Sequence, residues 1–391
     1  MNSSSPSPRA FRLIVTGGGT GGHTYPALTA VRTLKARLAA DGGALDVLWI
    51  GTADGLEARV APAEGIPFTT VATGKIRRSA NPLRMVSPAN MRDMARVPLG
   101  VAQARRIVAD FQPDVVLATG GYVAVPAGLA ARMCRRPLVL HEQTVRLGLA
   151  NRKLAGSATR IALSSESSLP LLPEPMRGAA VVTGNPIRPE VLTGHADKAV
   201  EALGLRGFDP RLPTVYVTGG AQGSQQINDV VRDALPWLLE RANVIHQCGP
   251  DHAEGLRQQA AALRTESARR YYLTGFVGPE LPDVLALADV VISRSGAGTL
   301  AELTALGKPA VFIPLASSAG NEQAHNARHL EEAGAAVALL GDVNADGLRG
   351  AVGPLLTDPA RRETMAERAR AHGRPDAADR LVDVILSAAS G

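Results

Sequence analysis

The chain has 391 residues, 45% of them hydrophobic and 20% charged, with a formal net charge of +6 and two cysteines, Cys134 and Cys248. That length suits two domains at roughly 100–200 residues each, and the composition excludes an intrinsically disordered chain. Two cysteines exclude a disulfide framework or a paired Cys-x-x-Cys zinc site, and they fit a reducing compartment. No apolar stretch of about 18 residues occurs and no secretory signal is visible before Phe11–Val15, so neither a transmembrane helix nor secretion is expected.

In chain order, short apolar runs read as strands at Phe11–Thr16, Leu45–Ile50, Val115–Ala118, Leu138–His141, Thr214–Thr218, Asn243–Gln247, Val290–Ser293 and Ala310–Pro314. Continuous β-branched runs of this length suit parallel strands buried on both faces. Segments of helical length separate them, which implies βαβ units. A strand, glycine-rich turn and helix occur at Leu13–Leu34 and again at Val215–Val230. The expected fold is therefore α/β, with two successive doubly wound, Rossmann-like domains. The proline-bearing stretch Val182–Pro189 reads as the linker, giving residues 10–187 and 188–373. A last helix near Asp376–Ser387, within residues 374–391, is expected to return to the first domain.

Four loops carry the chemistry. The first is Gly17-Gly18-Gly19-Thr20-Gly21-Gly22-His23, followed by Pro26 near the first helical turn. Glycines admit a ligand close to the backbone, the helix N-terminus favours an anion, and His23 at the mouth titrates near neutral pH. The same loop also reads as a tight turn capped by a histidine. The second turn, Gly120-Gly121-Tyr122, ends another strand of the same domain, so both face one crevice. His141-Glu142-Gln143 closes the next strand at that edge, either as part of the site or as a structural pair.

The third loop, Gly219-Gly220-Ala221-Gln222-Gly223-Ser224, opens the second domain and offers backbone N–H groups to a diphosphate. A dinucleotide site is disfavoured, because the second strands end in Gly51-Thr52 and Cys248-Gly249, without the acid that such a site needs. The fourth loop is Arg294-Ser295-Gly296-Ala297-Gly298-Thr299, with a helix expected near Gly298. Glu302, one turn in, is placed to accept ribose hydroxyls. Gln323 and Asn326 share a helix face and either read sugar hydroxyls or simply face solvent.

Taken in order, Gly18-Gly-Thr-Gly-Gly-His23-x-x-Pro26-Ala27, Gly120-Gly-Tyr-Val123, His141-Glu-Gln143, Gly184-Asn-Pro-Ile-Arg188, Gly220-x-Gln-Gly223, Arg294-Ser-Gly-Ala297 with Thr299 and Glu302, Gln323-x-x-Asn326-Ala327 and Glu332-Ala-Gly-Ala-Ala336 resemble one family. It is the MurG family of peptidoglycan N-acetylglucosaminyltransferases, in glycosyltransferase family 28. The resemblance runs from about residue 11 to 390. It implies a GT-B fold of two Rossmann-like domains facing a cleft, UDP-N-acetylglucosamine as donor, lipid I as acceptor, and inversion without a metal or other cofactor. It implies acceptor contacts at Gly18, Gly19, Thr20, Gly21, Gly22, Tyr122, Glu142 and Thr144, with His23 in the same cleft. The acceptor hydroxyl needs a base, and His23 is either that base or a group that only positions the acceptor diphosphate. On the donor side it implies Arg188, Gly220, Ala221, Gln222, Gly223, Phe276, Val277, Arg294, Ser295, Gly296, Ala297, Gly298, Thr299, Glu302, Gln323 and Asn326. Phe276 and Val277 lie where the family packs uracil. A role in cell-wall biogenesis, and with it cell shape and division, follows from the family, as does a cell-wall synthesis complex as partner.

The sequence departs from the family pattern at Ala124 and Val125 (Ser-Gly), Thr144 (Asn), Ala221 (Ser), Ser224 (Ala) and Glu322 (Gln or His). Thr144 and Ala124 alter acceptor contacts, and Ala221 removes one hydroxyl from the phosphate loop. Three readings compete: a glycolipid synthase of the same superfamily, a UDP-sugar 2-epimerase, and a non-catalytic UDP-sugar-binding subunit.

The basic charge is local. Residues 75–106 hold Lys75, Arg77, Arg78, Arg84, Arg92, Arg96, Arg105 and Arg106 against Asp93 alone, so the remainder of the chain is close to neutral. Leu83, Met85, Val86, Met91, Met94, Val97 and Leu99 are mixed among them. Arginines among apolar residues suit an anionic membrane surface. The segment has no aromatic residue to stack on bases, which argues against nucleic acid. The expected location is peripheral, on the cytoplasmic face of the cell membrane. The alternative is a solvated loop whose arginines cover apolar surface.

Overall fold

The computed structural model describes residues 9–74, 88–261, 263 and 265–391. Lys75, Arg77, Arg78 and Arg84 of the basic segment lie outside the described residues.

Two parallel sheets form the molecule. The first contains β1 (Phe11–Thr16), β2 (Leu45–Gly51), β3 (Phe68–Thr70), β4 (Val115–Ala118), β5 (Leu138–Glu142), β6 (Arg160–Leu163) and β7 (Ala180–Val182), in the order β3-β2-β1-β4-β5-β6-β7. The second contains β8 (Thr214–Thr218), β9 (Asn243–Gln247), β10 (Tyr271–Thr274), β11 (Val290–Ser293), β12 (Ala310–Phe312) and β13 (Val337–Ala338), in the order β10-β9-β8-β11-β12-β13. Each order reverses at its first strand: β1 pairs with both β2 and β4, and β8 with both β9 and β11. In a doubly wound sheet, the loops leaving the carboxyl ends of the strands at such a reversal form the ligand crevice. The α/β reading thus holds, with two doubly wound sheets.

All eight expected strands are present, although the one begun at Ala310 ends at Phe312. The additional strands β3, β7, β10 and β13 are sheet edges of two to four residues, and no residue in them is buried. An edge strand needs less apolar sequence, so it leaves a weaker pattern. The fifth, β6, opens on half-buried Arg160.

The chain divides into two compact units, one comprising the residues up to Pro186 plus Asp376–Gly391, the other Ile187–Pro375. In the first, the helix Ala377–Ala389 sets Leu381, Val384, Ile385 and Ala388 at helical spacing into the core of Leu13, Val15, Leu34, Trp49 and Leu117. That stripe is what an amphipathic helix buries. Arg37 and Asp383 pair at the rim. Val182 still belongs to β7, opposite Leu163, so the irregular segment begins at Thr183. In the second unit Val215, Val217, Val290 and Ile292 pack under Val231, Leu235, Leu238, Leu348 and Val352. Among the described residues no helix is long and apolar enough to cross a membrane.

Candidate active site

In the first unit the loops after β1 and β4 touch. An added Cβ at Gly121, where φ is +84°, would lie 2.6 Å from the Gly18 carbonyl oxygen, so only glycine fits there. The Thr119 hydroxyl donates to the His23 carbonyl (3.0 Å). The Trp49 indole N–H donates to the Gly17 carbonyl (3.2 Å). The two glycine turns noted in the sequence therefore build one platform.

His23 stands where they meet, half-buried in the first turn of the helix Gly21–Ala40, its ring beside Gly120. Its Nδ1 lies 3.2 Å from the Gly18 carbonyl oxygen. A carbonyl only accepts, so this contact places the proton on Nδ1 and leaves Nε2 as a lone pair. Burial pushes the imidazole pKa below its ordinary value, opposed by the Gly18 carbonyl and by the charge of Glu57. A neutral imidazole with an open Nε2 is the form a general base requires. Thr20 precedes the helix, exposed, with its hydroxyl 3.2 Å from the same Nδ1. Pro26 lies in the second helical turn rather than the first, so the Gly22 carbonyl lacks its helical partner.

Glu57 was not singled out from the sequence. It opens the helix Glu57–Ala63 and is fully buried. Its Oε2 accepts from the Gly19 N–H (2.9 Å), and its Oε1 accepts from the N–H and the hydroxyl of Thr52 (2.9 Å each). An added Cβ at Gly18 would lie 2.1 Å from its carboxyl carbon.

The His-Glu-Gln strand end is internal scaffold. His141 is fully buried, with Nε2 donating to the Gly184 carbonyl (3.1 Å) and Nδ1 accepting from Gln143 (3.0 Å). Burial pushes its pKa down to about 4. Glu142 is buried as well and accepts from the Gly148 N–H (2.8 Å), from Asn151 Nδ2 (3.0 Å) and from the hydroxyl of Thr144 (2.8 Å). Glu142 therefore shapes the loop to Asn151, and the Thr144 hydroxyl is shared between Glu142 and the Arg146 carbonyl. Tyr122, 44% exposed, is the more accessible side chain at this edge.

In the second unit, the loop after β11 ends at Gly296, which caps the helix Ala297–Leu306, one residue earlier than expected. Ser295 is buried and donates its hydroxyl to the Gln323 carbonyl (2.7 Å). Asn326 is buried and donates to the Ser295 carbonyl (3.1 Å), so its amide fixes the loop. Gln323 is half-buried, with Oε1 accepting from the Leu315 N–H (2.9 Å). Among the described residues the buried Arg294 Nε has no hydrogen-bond partner. Glu302 takes both Nε (3.1 Å) and Nη2 (2.9 Å) of Arg188 on its Oε1. Gly298 and Thr299 follow in the helix, half-buried.

Gln247, at the end of β9, links the other donor pieces and was also missed. Its Nε2 donates to the Gly220 carbonyl (2.9 Å) and to Thr218 Oγ1 (3.1 Å), and its Oε1 accepts from the Val277 N–H (2.9 Å) and the Tyr216 hydroxyl (3.2 Å). Val277 is buried in the core, whereas neighbouring Phe276 is 57% exposed. A base can therefore stack on Phe276 but not on the Val277 side chain. Gly220, Ala221 and Gln222 form the exposed rim of the loop, and Gly223 packs at its base against Cys248.

The profile of the Glycosyltransferase family 28 N-terminal domain matches residues 13–163, and that of the family 28 C-terminal domain matches residues 214–381. A UDP-N-acetylglucosamine–N-acetylmuramyl-(pentapeptide) pyrophosphoryl-undecaprenol N-acetylglucosamine transferase of Halalkalibacterium halodurans is 34% identical over 373 residues, covering 95% of this chain and 98% of the relative. The like-named protein of Listeria monocytogenes is 35% identical over 380 residues, covering 96% and 99%. Among solved structures, Acinetobacter baumannii MurG has a TM-score of 0.72 at 26% identity, covering 96% of this chain and 99% of that one. A Neisseria meningitidis UDP-GlcNAc 2-epimerase, at 15% identity and a TM-score of 0.65, shares the fold alone. The chain belongs to glycosyltransferase family 28, among its MurG-type N-acetylglucosaminyltransferases, and has their GT-B fold.

Proposed function

We propose that this chain transfers N-acetylglucosamine from UDP-N-acetylglucosamine to undecaprenyl-diphosphate-linked N-acetylmuramoyl-pentapeptide, lipid I, forming lipid II with inversion at the anomeric carbon. Membership at full length supports the reaction. The observation that carries the mechanism is His23, with Nδ1 on the Gly18 carbonyl and Nε2 open at the junction of two glycine loops. Nε2 takes the proton of the acceptor hydroxyl. The hydroxyl oxygen bonds to C1 of the sugar, and the C1–oxygen bond to the diphosphate breaks from the opposite face. UDP departs with the bonding pair, and its charge is met by Arg188, Arg294 and the N–H groups of Ser295–Ala297 at a helix N-terminus.

The first unit takes the acceptor through the loop of Gly18, Gly19, Thr20, Gly21 and Gly22, together with Tyr122. Glu142 and Thr144 shape that edge from within. The second takes the donor: Phe276 stacks on the base, Glu302 accepts from ribose, and the Gly220–Gly223 loop, Thr299 and the Gln323 amide line the diphosphate and sugar. Asn326 and Val277 act by holding neighbouring backbone. The sequence has no Asp-x-Asp motif and supplies its own cations, so the reaction proceeds without a metal. The protein docks on the cytoplasmic face of the membrane through residues 75–106, within reach of a lipid-linked acceptor and of a cell-wall synthesis complex. Within that segment the exposed Arg96 and Leu99, with Arg105 and Arg106, project from the helix Pro88–Phe111.

The test is turnover of labelled UDP-N-acetylglucosamine with lipid I, with and without EDTA. A lipid II product that survives chelation is expected. A 2-epimer formed from donor alone, or transfer to diacylglycerol instead of lipid I, would overturn the assignment. Co-sedimentation with anionic vesicles is expected to fall in the Arg77→Glu, Arg78→Glu, Arg84→Glu triple variant, since each basic residue contributes about 1 kcal/mol near such a surface.

A further inference from the structure

We propose that Glu57 is a positioning residue for the transfer reaction, clamping the first glycine loop from below and supplying the negative field under His23. This deepens the proposed function and rests on its reading of His23 as the base.

The geometry is specific. A carboxylate is almost never fully buried without partners. Glu57 is fully buried, and its partners come from two loops: the Gly19 N–H from the loop after β1, and the N–H and hydroxyl of Thr52 from the loop after β2. Three glycines make room for it. An added Cβ would come within 2.1 Å of the carboxyl group at Gly18, within 2.2 Å at Gly55, and 2.6 Å from Glu57 Cγ at Gly51. The Gly18 carbonyl, immediately before the clamped Gly19 N–H, is the group that holds His23 Nδ1. One residue therefore links the carboxylate to the imidazole through the backbone. A shift of the Gly18–Gly19 peptide would release the Nδ1 proton from its acceptor and turn Nε2 away from its line of approach.

The charge acts alongside the geometry. Glu57 raises the proton affinity of His23 against the effect of burial. Among the described residues His141, from β5, also acts on His23; burial lowers its pKa to about 4, so it adds no charge at neutral pH. The Gly18 carbonyl and the Glu57 carboxylate both favour the protonated base.

Three variants test this: Glu57→Gln, which keeps shape and removes charge, Glu57→Asp, which keeps charge and shortens the reach, and His23→Ala. The readouts are kcat, UDP affinity and the pH profile of kcat/KM for the acceptor. Glu57→Gln is expected to lower kcat roughly 10- to 100-fold, as small misplacements of reacting groups do. It should also move the acid limb to lower pH and leave UDP affinity within about twofold. Glu57→Asp should lower kcat while leaving the limb near its wild-type position. Wild-type kcat and an unmoved limb in Glu57→Gln would overturn the proposal, as would parallel losses of UDP affinity and kcat. If Glu57→Gln does not fold, wild-type kcat in Glu57→Asp overturns it equally. An acid limb that persists in His23→Ala would refute His23 as the base, and this outcome is separate from the Glu57 result.

Discussion

The loops after β1 and β8 occupy the same place in their sheets, at the reversal of strand order, yet they are pinned by different chemistry. Under the first lies a carboxylate, Glu57, that only accepts hydrogen bonds. Under the second lies a neutral amide, Gln247, that donates to one backbone segment and accepts from another. Both are buried keystones with several partners, so loop rigidity alone does not explain the choice. We attribute the difference to the ligand that each loop is proposed to take. A loop proposed to hold the departing diphosphate, whose charge grows as the bond to C1 breaks, gains nothing from a carboxylate beneath it, because the two charges would repel in a medium of low dielectric. A loop that carries a base gains from one, since the negative field preserves proton affinity that burial removes. The second unit does contain a carboxylate in its site, Glu302, but it is paired with Arg188.

The largest expected effect breaks the first loop at its functional end. His23→Ala should slow turnover by about 10²–10⁴-fold, the usual contribution of a general base, and leave UDP affinity unchanged. Steady-state kinetics and calorimetric UDP titration measure the two sides. Turnover near wild type would reduce His23 to a helix cap.

The next effect imports the wrong keystone. Gln247→Glu places a carboxylate oxygen where an N–H now meets the Gly220 carbonyl and Thr218 Oγ1. The Gly220 carbonyl is left opposed, whereas the Thr218 hydroxyl can turn to donate, and the added charge faces the proposed diphosphate site. UDP affinity should fall by about 2–3 kcal/mol, roughly 30- to 150-fold. Retained affinity at pH 8 would show that charge beneath the loop does not matter, and the comparison would fail.

How much of this was legible in the sequence depends on the kind of residue. Most strands buried on both faces were found, as were the glycine loops, because both leave a local pattern; β6, buried except at Arg160, was not. Glu57 leaves none. It sits in Asp54-Gly-Leu-Glu57-Ala-Arg59, which reads as a solvated helix start, and only the empty space at Gly18, Gly51 and Gly55 betrays a group between them. Gln247 offered a better signal: Asn243, His246 and Gln247 are three polar residues in one buried strand, and buried polar groups demand partners. Motif membership names Glu142, Val277 and Asn326 as ligand contacts. All three side chains are buried, and those of Glu142 and Asn326 bond neighbouring backbone, which supports the proposed role of holding the loops; that distinction depends on which side of the loop each side chain lies.

Both units should be sensitive to acid. Among the described residues each fully buries one histidine: His141 in the first, and His246 in the second between Tyr271 and Asn228 Oδ1. Burial lowers both pKa values to about 4 from 6.5. The unfolded chain therefore binds protons that the folded chain refuses. The resulting stability is fully present above pH 6.5 and is lost as the pH falls toward 4. By pH 5 the loss is on the order of 2 kcal/mol for each histidine. Denaturant melts at pH 7 and pH 5 test this, with Trp49 reporting the first unit and Trp237 the second in single-tryptophan variants. A flat stability across that range, or a loss confined to one unit, would contradict it.

The smallest effect concerns the carboxylate that the donor side does keep. Glu302 accepts two hydrogen bonds from Arg188 through one oxygen. Two roles are open to it, accepting from ribose and aiming the guanidinium at the diphosphate, and ligands of different length separate them. Glu302→Ala removes charge-assisted bonds, and UDP binding should weaken by about 1.5–3 kcal/mol. If the ribose contact dominates, uridine, which has no phosphate, should lose affinity by the same factor. Arg188→Ala should weaken UDP and leave uridine unchanged, because its charge has no partner on the nucleoside. The double variant should then lose about the sum for UDP if the two residues act separately, and less than the sum if Glu302 works through Arg188. Competition titrations with both ligands decide the matter. Unchanged uridine affinity in Glu302→Ala would confine Glu302 to orienting Arg188, and the second unit would then use its carboxylate as the first uses Glu57, to position another group rather than to touch the substrate.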